Sequence, residues 1–449
     1  MSKYIKEKPK SSQNKLQAKY CLSSIFAIIV VVFAFSGYTA RSSNYIMLGL
    51  FIIWFMIAFI TDMNAFQKMV MTKTVLYYAA FLLFFLLTLM INTSTRDILK
   101  YVGANVILFS PIFIFLYYYR LEDNRYLKII TVAGLIAWGY FLMTAIRFYI
   151  QNEGAARELA SDSTKFDDIA IGGGYGLAYA SCILAVYLLD LILRNKFAKP
   201  IYKVLIAIAI VLLSVVVFET QSTITIIFLV SGLALDALLR IALPYKDNKK
   251  ISLNSIIGMM LILALFIVVF CNLKNFGQII LDFSGGKSDI VSKRLYEVGS
   301  LLKYGTADNG SSGDLTGRIQ LILTSFETFS DNFFFGIGYK YNYDFTEMFR
   351  VGVGSHSEWI DSLAKYGIMG GIPFLAAIIS SVKLERKNSC VSFAYVLTTF
   401  FLGFFNPFIT FQSTIALFLI IPGITAIYND WKYDPVGNTK EQLEINRFD

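Results

Sequence analysis

The sequence predicts an all-α polytopic membrane protein with about twelve transmembrane helices and one large extracytoplasmic loop. Of the 449 residues, 56 % are hydrophobic, and uncharged apolar runs of about 18 residues or more recur along the chain. The net charge of +9 could indicate a nucleic-acid partner. The basic residues, however, collect in short segments between apolar runs, so the expected partner is a lipid bilayer, with no nucleic acid.

Hydropathy places the spans between short polar segments. The predicted spans are 20–38, 44–61, 74–91, 102–119, 128–149, 170–193, 203–219, 222–243, 253–271, 367–382, 390–406 and 410–428. They divide the chain into a basic cytoplasmic tail (1–19), transmembrane helices 1–9 (20–271), a large extracytoplasmic loop (272–366), transmembrane helices 10–12 (367–428) and a second cytoplasmic tail (429–449).

Lysine and arginine set the predicted orientation, because cytoplasmic loops carry more of these residues than external loops do. The first tail is rich in lysine, and alternate segments after it are also basic. The remaining short loops contain only Arg41, Arg96, Lys100, Arg147, Arg157 and Lys165. Both termini are therefore predicted to be cytoplasmic.

The stretch from Asp314 to Gly371 is polar and punctuated by glycine, and it contains His356, the only histidine of the chain. Function in membrane proteins concentrates in loops that a rigid scaffold holds. Two Gly-x-Gly steps, at 336–338 and 352–354, predict tight turns and close backbone approach.

A local motif predicts a helix at the end of this stretch. Ser355 and Glu358 fit the S-x-x-E capping box, with Ser355 as the N-cap and Glu358 as its partner. The helix would run from His356 to Tyr366 and end at Gly367 as a left-handed residue. His356 would then occupy the first helical position, where the helix dipole favours a neutral imidazole able to accept a proton.

Two amphipathic helices are predicted earlier in the loop, resting on the bundle or at the membrane surface. Their apolar faces are Val291, Leu295, Val298 and Leu302 in one, and Leu315, Ile319, Ile322, Phe326 and Phe329 in the other. Arg318 opens the second helix, just after a predicted Asp314 cap.

Other polar motifs are given structural interpretations. Residues 172–176 (GGGYG) lack both the strand and the spacing of a dinucleotide loop, and they indicate close helix packing or substrate approach. Residues 308–314 lack the final glutamate of a calcium loop. No metal site or cofactor is predicted. The carboxylates near span ends, Asp62, Asp190, Glu219 and Asp236, are interpreted as interfacial.

One external histidine together with external arginines suggests glycosyl transfer from a lipid-diphosphate donor. The base would deprotonate an acceptor hydroxyl, and forked guanidinium groups would stabilise the departing diphosphate. Arg318 and Arg157 are the best-placed arginines. An equally weighted alternative is that Arg318 anchors the helix at the interface.

Four short motifs then carry a resemblance: TGR at 316–318, GIGY at 336–339, HS at 356–357 and GIMG at 367–370. With the span layout, they resemble the O-antigen polymerase and O-antigen ligase superfamily of bacterial envelope glycosyltransferases. The resemblance implies a GT-C-like, metal-independent transferase that uses undecaprenyl-diphosphate-linked oligosaccharide as donor and acceptor. It also implies His356 as base and Arg318 and, more loosely, Arg157 as diphosphate ligands. The predicted supporting residues are Gly336, Gly338, Tyr339, Gly354, Ser355 and Glu358.

The chain departs from the family at residues 220–223 (TQST), where many relatives have an arginine. Either Arg157 supplies that charge or the donor is held differently. The sequence prediction is a polymerase of O-antigen or capsule repeat units in the bacterial cytoplasmic membrane, with a chain-length regulator as a further partner. The alternatives are a ligase that transfers glycan to a lipid or protein, and a flippase for the same lipid-linked sugar.

Overall fold

A computed structural model describes most of the chain, and the described part is helical with no β-strand, which confirms the predicted all-α class. The described residues are 10–35, 43–92, 95–121, 124–152, 174–194, 200–220, 222–242, 271–284, 290–304, 314–338, 352–388 and 394–432, with isolated positions 257, 260 and 268.

The helices fall into two groups along the chain. The first comprises α1 (Lys10–Ala34), α2 (Ser43–Thr61), α3 (Met63–Val70), α4 (Lys73–Asn92), α5 (Thr95–Tyr119), α6 (Arg125–Gln151), α7 (Gly174–Arg194), α8 (Pro200–Glu219) and α9 (Thr223–Ala242). The second comprises α10 (Leu273–Ser284), α11 (Ile290–Tyr304), α12 (Asp314–Asp331), α13 (Glu358–Asn388), α14 (Ala394–Phe405), α15 (Phe411–Ile415) and α16 (Ile421–Lys432). A π-helical turn, Ala416–Ile420, joins α15 to α16.

The described helices confirm a multi-pass membrane protein. Seven of them are long and apolar enough to cross a membrane, or eight if the bent pair α2–α3 forms one span. Shorter apolar stretches occur in α1, α9 and α14. A helix overlaps every predicted span except 253–271, most of which lies outside the described residues. The total of about twelve spans therefore stays a prediction.

An aromatic cluster fixes α13 against α4 and α5. Tyr366 of α13 lies edge-on to Phe81 and Phe85 of α4, with ring centroids 4.9 and 5.1 Å apart. Phe374, further along α13, lies 5.2 Å from Phe81 and 5.8 Å from Phe109 of α5. All five side chains are buried. Because aromatic rings have large areas and preferred relative orientations, this cluster sets the depth and rotation of α13.

Helix α13 is broken at Gly367, which has φ 59° and ψ −170°, a backbone conformation that only glycine adopts readily. The break leaves the carbonyls before it without helical partners. The N–H groups of Ile337 and Gly338 donate to two of these carbonyls, those of Ala364 at 3.0 Å and Lys365 at 2.9 Å. The positive φ expected at Gly367 is confirmed, although a second helical segment follows directly.

The same turn, residues 332–338, also satisfies the N–H groups after the break. Ile368 donates to the carbonyl of Phe333 at 2.8 Å, and Met369 donates to the carbonyl of Phe334 at 3.1 Å. The exchange is therefore reciprocal, with two bonds in each direction. Gly367 is buried, and buried backbone groups need hydrogen-bond partners, so this turn makes the break tolerable.

Only glycine fits at the centre of this contact. Gly336 has φ 68°, and a Cβ added there would lie 2.5 Å from the backbone nitrogen of Gly367. A Cβ on Gly367 would lie 2.4 Å from the carbonyl oxygen of Phe334. The hydroxyl of Thr88 in α4 donates to the carbonyl of Phe335 at 2.8 Å, which fixes the other side of the turn. The close approach predicted for Gly336 is confirmed.

Helix α3 was not predicted, because eight residues are too few for a periodic pattern. It follows α2 after a bend of 119°. Asp62 caps it by accepting from the N–H groups of Asn64 and Ala65, both at 3.0 Å, and the Tyr20 hydroxyl donates to the same carboxylate. Asp62 thus ends one helix and starts the next.

Helices α10 and α11 form a hairpin in which the two helices approach each other closely at Gly277 and Gly299. A Cβ added to Gly277 would lie 2.7 Å from the carbonyl oxygen of Gly299. On the other side of α10, Ile279 and Phe283 are exposed at 61 and 82 %. Helix α10 therefore has an apolar face that the described residues leave open. The amphipathic helix predicted nearby corresponds to α11, in which Leu295, Val298 and Leu302 are partly buried.

Helix α12 turns small polar residues inward. Thr324, Ser325 and Thr328 are buried, whereas Ile319 and Phe326 are 43 and 55 % exposed. The helix therefore packs on α13 through its polar side, and the described residues leave these two apolar side chains uncovered.

Two predictions about polar and small residues have different outcomes. Asp190 and Asp236, interpreted as interfacial, are at most 1 % exposed, so other parts of the protein cover both side chains; their depth relative to the membrane stays a prediction. Gly176 does pack closely, since an added Cβ would lie 2.9 Å from Oγ1 of Thr410. Close packing is therefore confirmed at this position of the 172–176 stretch.

We expect Gly336→Ala and Gly367→Ala to lower the thermal unfolding midpoint of the detergent-solubilised protein. Each substitution adds strain of roughly 1–3 kcal/mol for the unfavourable backbone conformation, and each forces the turn away from α13. Gly139→Ala is the matched control, because a Cβ there meets nothing within 4 Å. Equal midpoints for all three variants would contradict the role of the turn.

Candidate active site

His356 lies in a short non-helical segment, Gly352–Ser357, directly before α13. The side chain is partly exposed. The helix begins at Glu358, so His356 precedes it by two residues and does not occupy its first position. The prediction of a neutral imidazole at the first helical position is therefore wrong in its geometry. Ser355, the preceding residue, has φ 56°, the only positive φ of a non-glycine residue in the described chain.

The helix cap is Ser357, and the predicted cap at Ser355 is wrong. The Ser357 hydroxyl accepts from the N–H of Ile360 at 3.4 Å, and the N–H of Ser357 donates to Oδ2 of Asp361 at 3.0 Å. This reciprocal pair resembles the predicted capping box but is displaced along the chain. Ser355 cannot serve as cap, because it lies a further two residues from the helix start.

Glu358 is the second residue whose predicted role is wrong, since it does not partner Ser355. The carboxylate is buried and accepts from the N–H of Ile409 at 3.0 Å and from the Ser362 hydroxyl at 3.3 Å. A tertiary contact 51 residues away in sequence thus replaces the local one. Glu358 ties the start of α13 to the segment between α14 and α15.

Helix α14 packs directly behind the start of α13. The indole N–H of Trp359 donates to the carbonyl of Phe400 at 2.8 Å, and the Ser357 hydroxyl donates to that of Gly403 at 3.4 Å. A Cβ added to Gly403 would lie 2.6 Å from the indole ring. The residue after His356 is therefore held from the side of α14.

Helix α12 holds the residues before His356. The hydroxyl of Thr328 accepts from the N–H of Gly352 at 3.1 Å and donates to its carbonyl at 2.7 Å. The N–H of Gly354 donates to the Ser325 hydroxyl at 2.8 Å. A Cβ on Gly354 would lie 2.2 Å from the carbonyl oxygen of Leu321, so the close backbone approach predicted for this glycine is confirmed.

Arg318 lies on the same helix as the residues that contact Gly354. Arg318 lies in α12, one helical turn before Leu321 and two turns before Ser325, on the same helical face by the 3.6-residue period. The Arg318 side chain, Arg157 and Tyr339 lie outside the described residues.

The sequence analysis missed the polar residues that organise the site, namely Ser325, Thr328 and Asp361. All three are buried. A signal for them was available in α12, where the TSFET run places threonine and serine on the side opposite the apolar stripe. Small hydroxyl residues on the inner face of an amphipathic helix indicate that it binds backbone rather than a hydrophobic core.

Comparison with known proteins gives one family match. Residues 208–375 match the family model described as O-antigen ligase. This match supports the similarity of the chain to the O-antigen polymerase and ligase superfamily. No curated protein matches the chain.

The match to the O-antigen ligase family covers the second half of α8, all of α9 to α12 and the first part of α13. It therefore includes the positions of Arg318 and His356 and the turn at Gly367. Arg157 lies outside the matched residues. The match supports polymerase- or ligase-type glycan transfer by a multi-pass membrane protein.

We expect Ser357→Ala to destabilise the protein by about 0.5–2 kcal/mol, because it removes the cap of α13. Ser355→Ala should change stability by less than about 0.5 kcal/mol, since it deletes no cap and keeps the same backbone strain. Thermal unfolding of both variants in the same detergent compares the two residues. A larger loss from Ser355→Ala would restore the predicted capping box.

Proposed function

We propose that the chain is a polysaccharide polymerase. It transfers undecaprenyl-diphosphate-linked repeat units onto an acceptor repeat unit at the outer face of the bacterial cytoplasmic membrane, and the product is O-antigen or capsule. The observation that supports this most is the contact between Gly354, two residues before His356, and the backbone of α12, the helix that contains Arg318.

The proposed reaction needs one base and one anion-binding group. The imidazole of His356 accepts the proton of an acceptor hydroxyl while that oxygen attacks the anomeric carbon of the donor sugar. The bond from this carbon to the diphosphate oxygen breaks, and the diphosphate leaves with the electron pair. The Arg318 guanidinium binds the departing oxygens in forked geometry, so its charge stabilises the leaving group.

A ligase is the second candidate, because the matching family model is described as O-antigen ligase. The two activities share the donor and the bond that breaks, and they differ only in the acceptor. A polymerase extends a lipid-diphosphate-linked repeat unit, whereas a ligase transfers the finished glycan to another lipid or a protein. The surface product of a mutant cell therefore separates them.

We expect His356→Ala to leave an inserted protein whose cells accumulate single lipid-linked repeat units and display no long chains. Loss of a positioned base typically costs about 10²–10⁴-fold in rate. Arg318→Lys should also impair synthesis, because lysine keeps the charge and loses the fork. Lys303→Ala in α11 is the control for a general loss of positive charge.

The measurement is a gel ladder of surface glycan beside a membrane-expression blot. If His356→Ala gives a normal ladder at equal expression, the proposed base is wrong. If long chains form but remain on the carrier lipid, the ligase is the better assignment. Normal chains from Arg318→Ala would make this residue an interface anchor.

The proposal also requires His356 to face the outer side of the membrane, with both chain termini in the cytoplasm. Single cysteines at Ser163 and Ser312 should react with a membrane-impermeant thiol reagent in intact cells, after the native cysteines are replaced and any outer membrane is permeabilised. A cysteine at Asn248 is the cytoplasmic control and should stay unlabelled. Labelling at Asn248 but not at Ser312 would invert the orientation.

A further inference from the structure

A buried hydroxyl–carboxylate pair joins α12 to α13 beside His356. The Ser325 hydroxyl donates to Oδ1 of Asp361 at 2.6 Å. Ser325 is fully buried and Asp361 is 1 % exposed. Oδ2 of Asp361 accepts from the N–H of Ser357 at 3.0 Å, so each carboxylate oxygen has a donor from a different element.

The pair reaches the histidine segment from both ends. The oxygen of Ser325 that donates to Asp361 also accepts from the N–H of Gly354 at 2.8 Å. Gly354 lies two residues before His356, and Ser357 directly follows it. Each end of the segment is therefore hydrogen-bonded to a member of the pair.

The segment between these anchors is strained. Ser355 has φ 56°, a value that costs energy for a residue with a Cβ. Such a conformation persists only when the surrounding contacts determine it. The bonds from Ser325 and Asp361 are contacts of that kind.

We propose that Ser325 and Asp361 form a positioning pair that fixes the imidazole of His356 relative to α12, and hence to Arg318 two turns earlier on that helix. The effect on glycan synthesis rests on the proposed function. The effect on the conformation of His356 does not, because it follows from the hydrogen bonds alone.

The chemistry of the pair predicts which substitutions loosen it. Ser325→Ala removes the donor to Asp361 and the acceptor for Gly354 together. Asp361→Asn keeps one carbonyl oxygen and replaces the other with an NH₂ group, which cannot accept. It therefore breaks one of the two bonds at nearly constant volume. Two matched controls lie on the exposed side of α12: Ser330→Ala, whose hydroxyl bonds only within its own helix, and Asp331→Asn.

The single histidine of the chain makes a direct test possible. In a protein without a histidine tag, isotope-labelled histidine gives imidazole resonances from His356 alone. We expect one sharp set in the unmodified protein and in both controls. Ser325→Ala and Asp361→Asn should each give a shifted, broadened or second set, at the same temperature and in the same detergent. Surface-glycan synthesis should fall about 10²-fold, as expected for a base displaced by about 1 Å.

Each result decides one of the two proposals. Imidazole resonances identical to those of the unmodified protein in either well-folded variant would overturn the positioning role, whatever the glycan ladder shows. Altered resonances with a normal ladder would support the positioning role and overturn the assignment of His356 as base. Altered resonances with a lost ladder, at equal expression, support both. The two variants are independent, so the failure of one to fold leaves the other as the test.

Discussion

The site depends on how the break at Gly367 is hydrogen-bonded. A helix that stops and restarts within the protein leaves carbonyls on one side and N–H groups on the other without partners. The turn 332–338 supplies both sets from consecutive residues, and glycine at position 336 allows the two backbones to touch. Since α12 ends where this turn begins, the repair of the break also places α12 against the start of α13.

From there the site is built by polar contacts rather than by apolar burial. The inner face of α12 binds the backbone of Gly352 and Gly354, and its apolar face points outward. Asp361 and Glu358 each bind a different neighbour, so the first turn of α13 joins α12 on one side and the segment after α14 on the other. The segment with His356 is consequently held from α12 on one side and from α14 and the segment after it on the other.

Sequence patterns predicted the parts of this structure that depend on local physics. Long apolar runs gave the helices, and glycine identity gave the close contacts at Gly336 and Gly354. The predicted N-cap position was wrong because three side-chain acceptors lie close together at the start of α13. Contacts with distant parts of the chain decide which of them caps the helix. The N–H of Ile409 donates to the carboxylate of Glu358, and the Ser325 hydroxyl donates to that of Asp361. Both donors are far away in sequence, so a local motif cannot predict these bonds. For the same reason, local sequence did not predict the burial of Asp190 and Asp236 by other helices.

The hydrogen bond between Thr88 and Phe335 joins residues 247 positions apart in sequence. The hydrogen-bond donor to Glu358, the N–H of Ile409, comes from the last part of the chain. During synthesis α4 enters the membrane early, whereas Ile409 emerges near the end. A nascent chain that has already made α12 and the His356 segment therefore still lacks the partner that fixes the carboxylate of Glu358. The contacts at the start of α13 are complete only when the segment after α14 has been made.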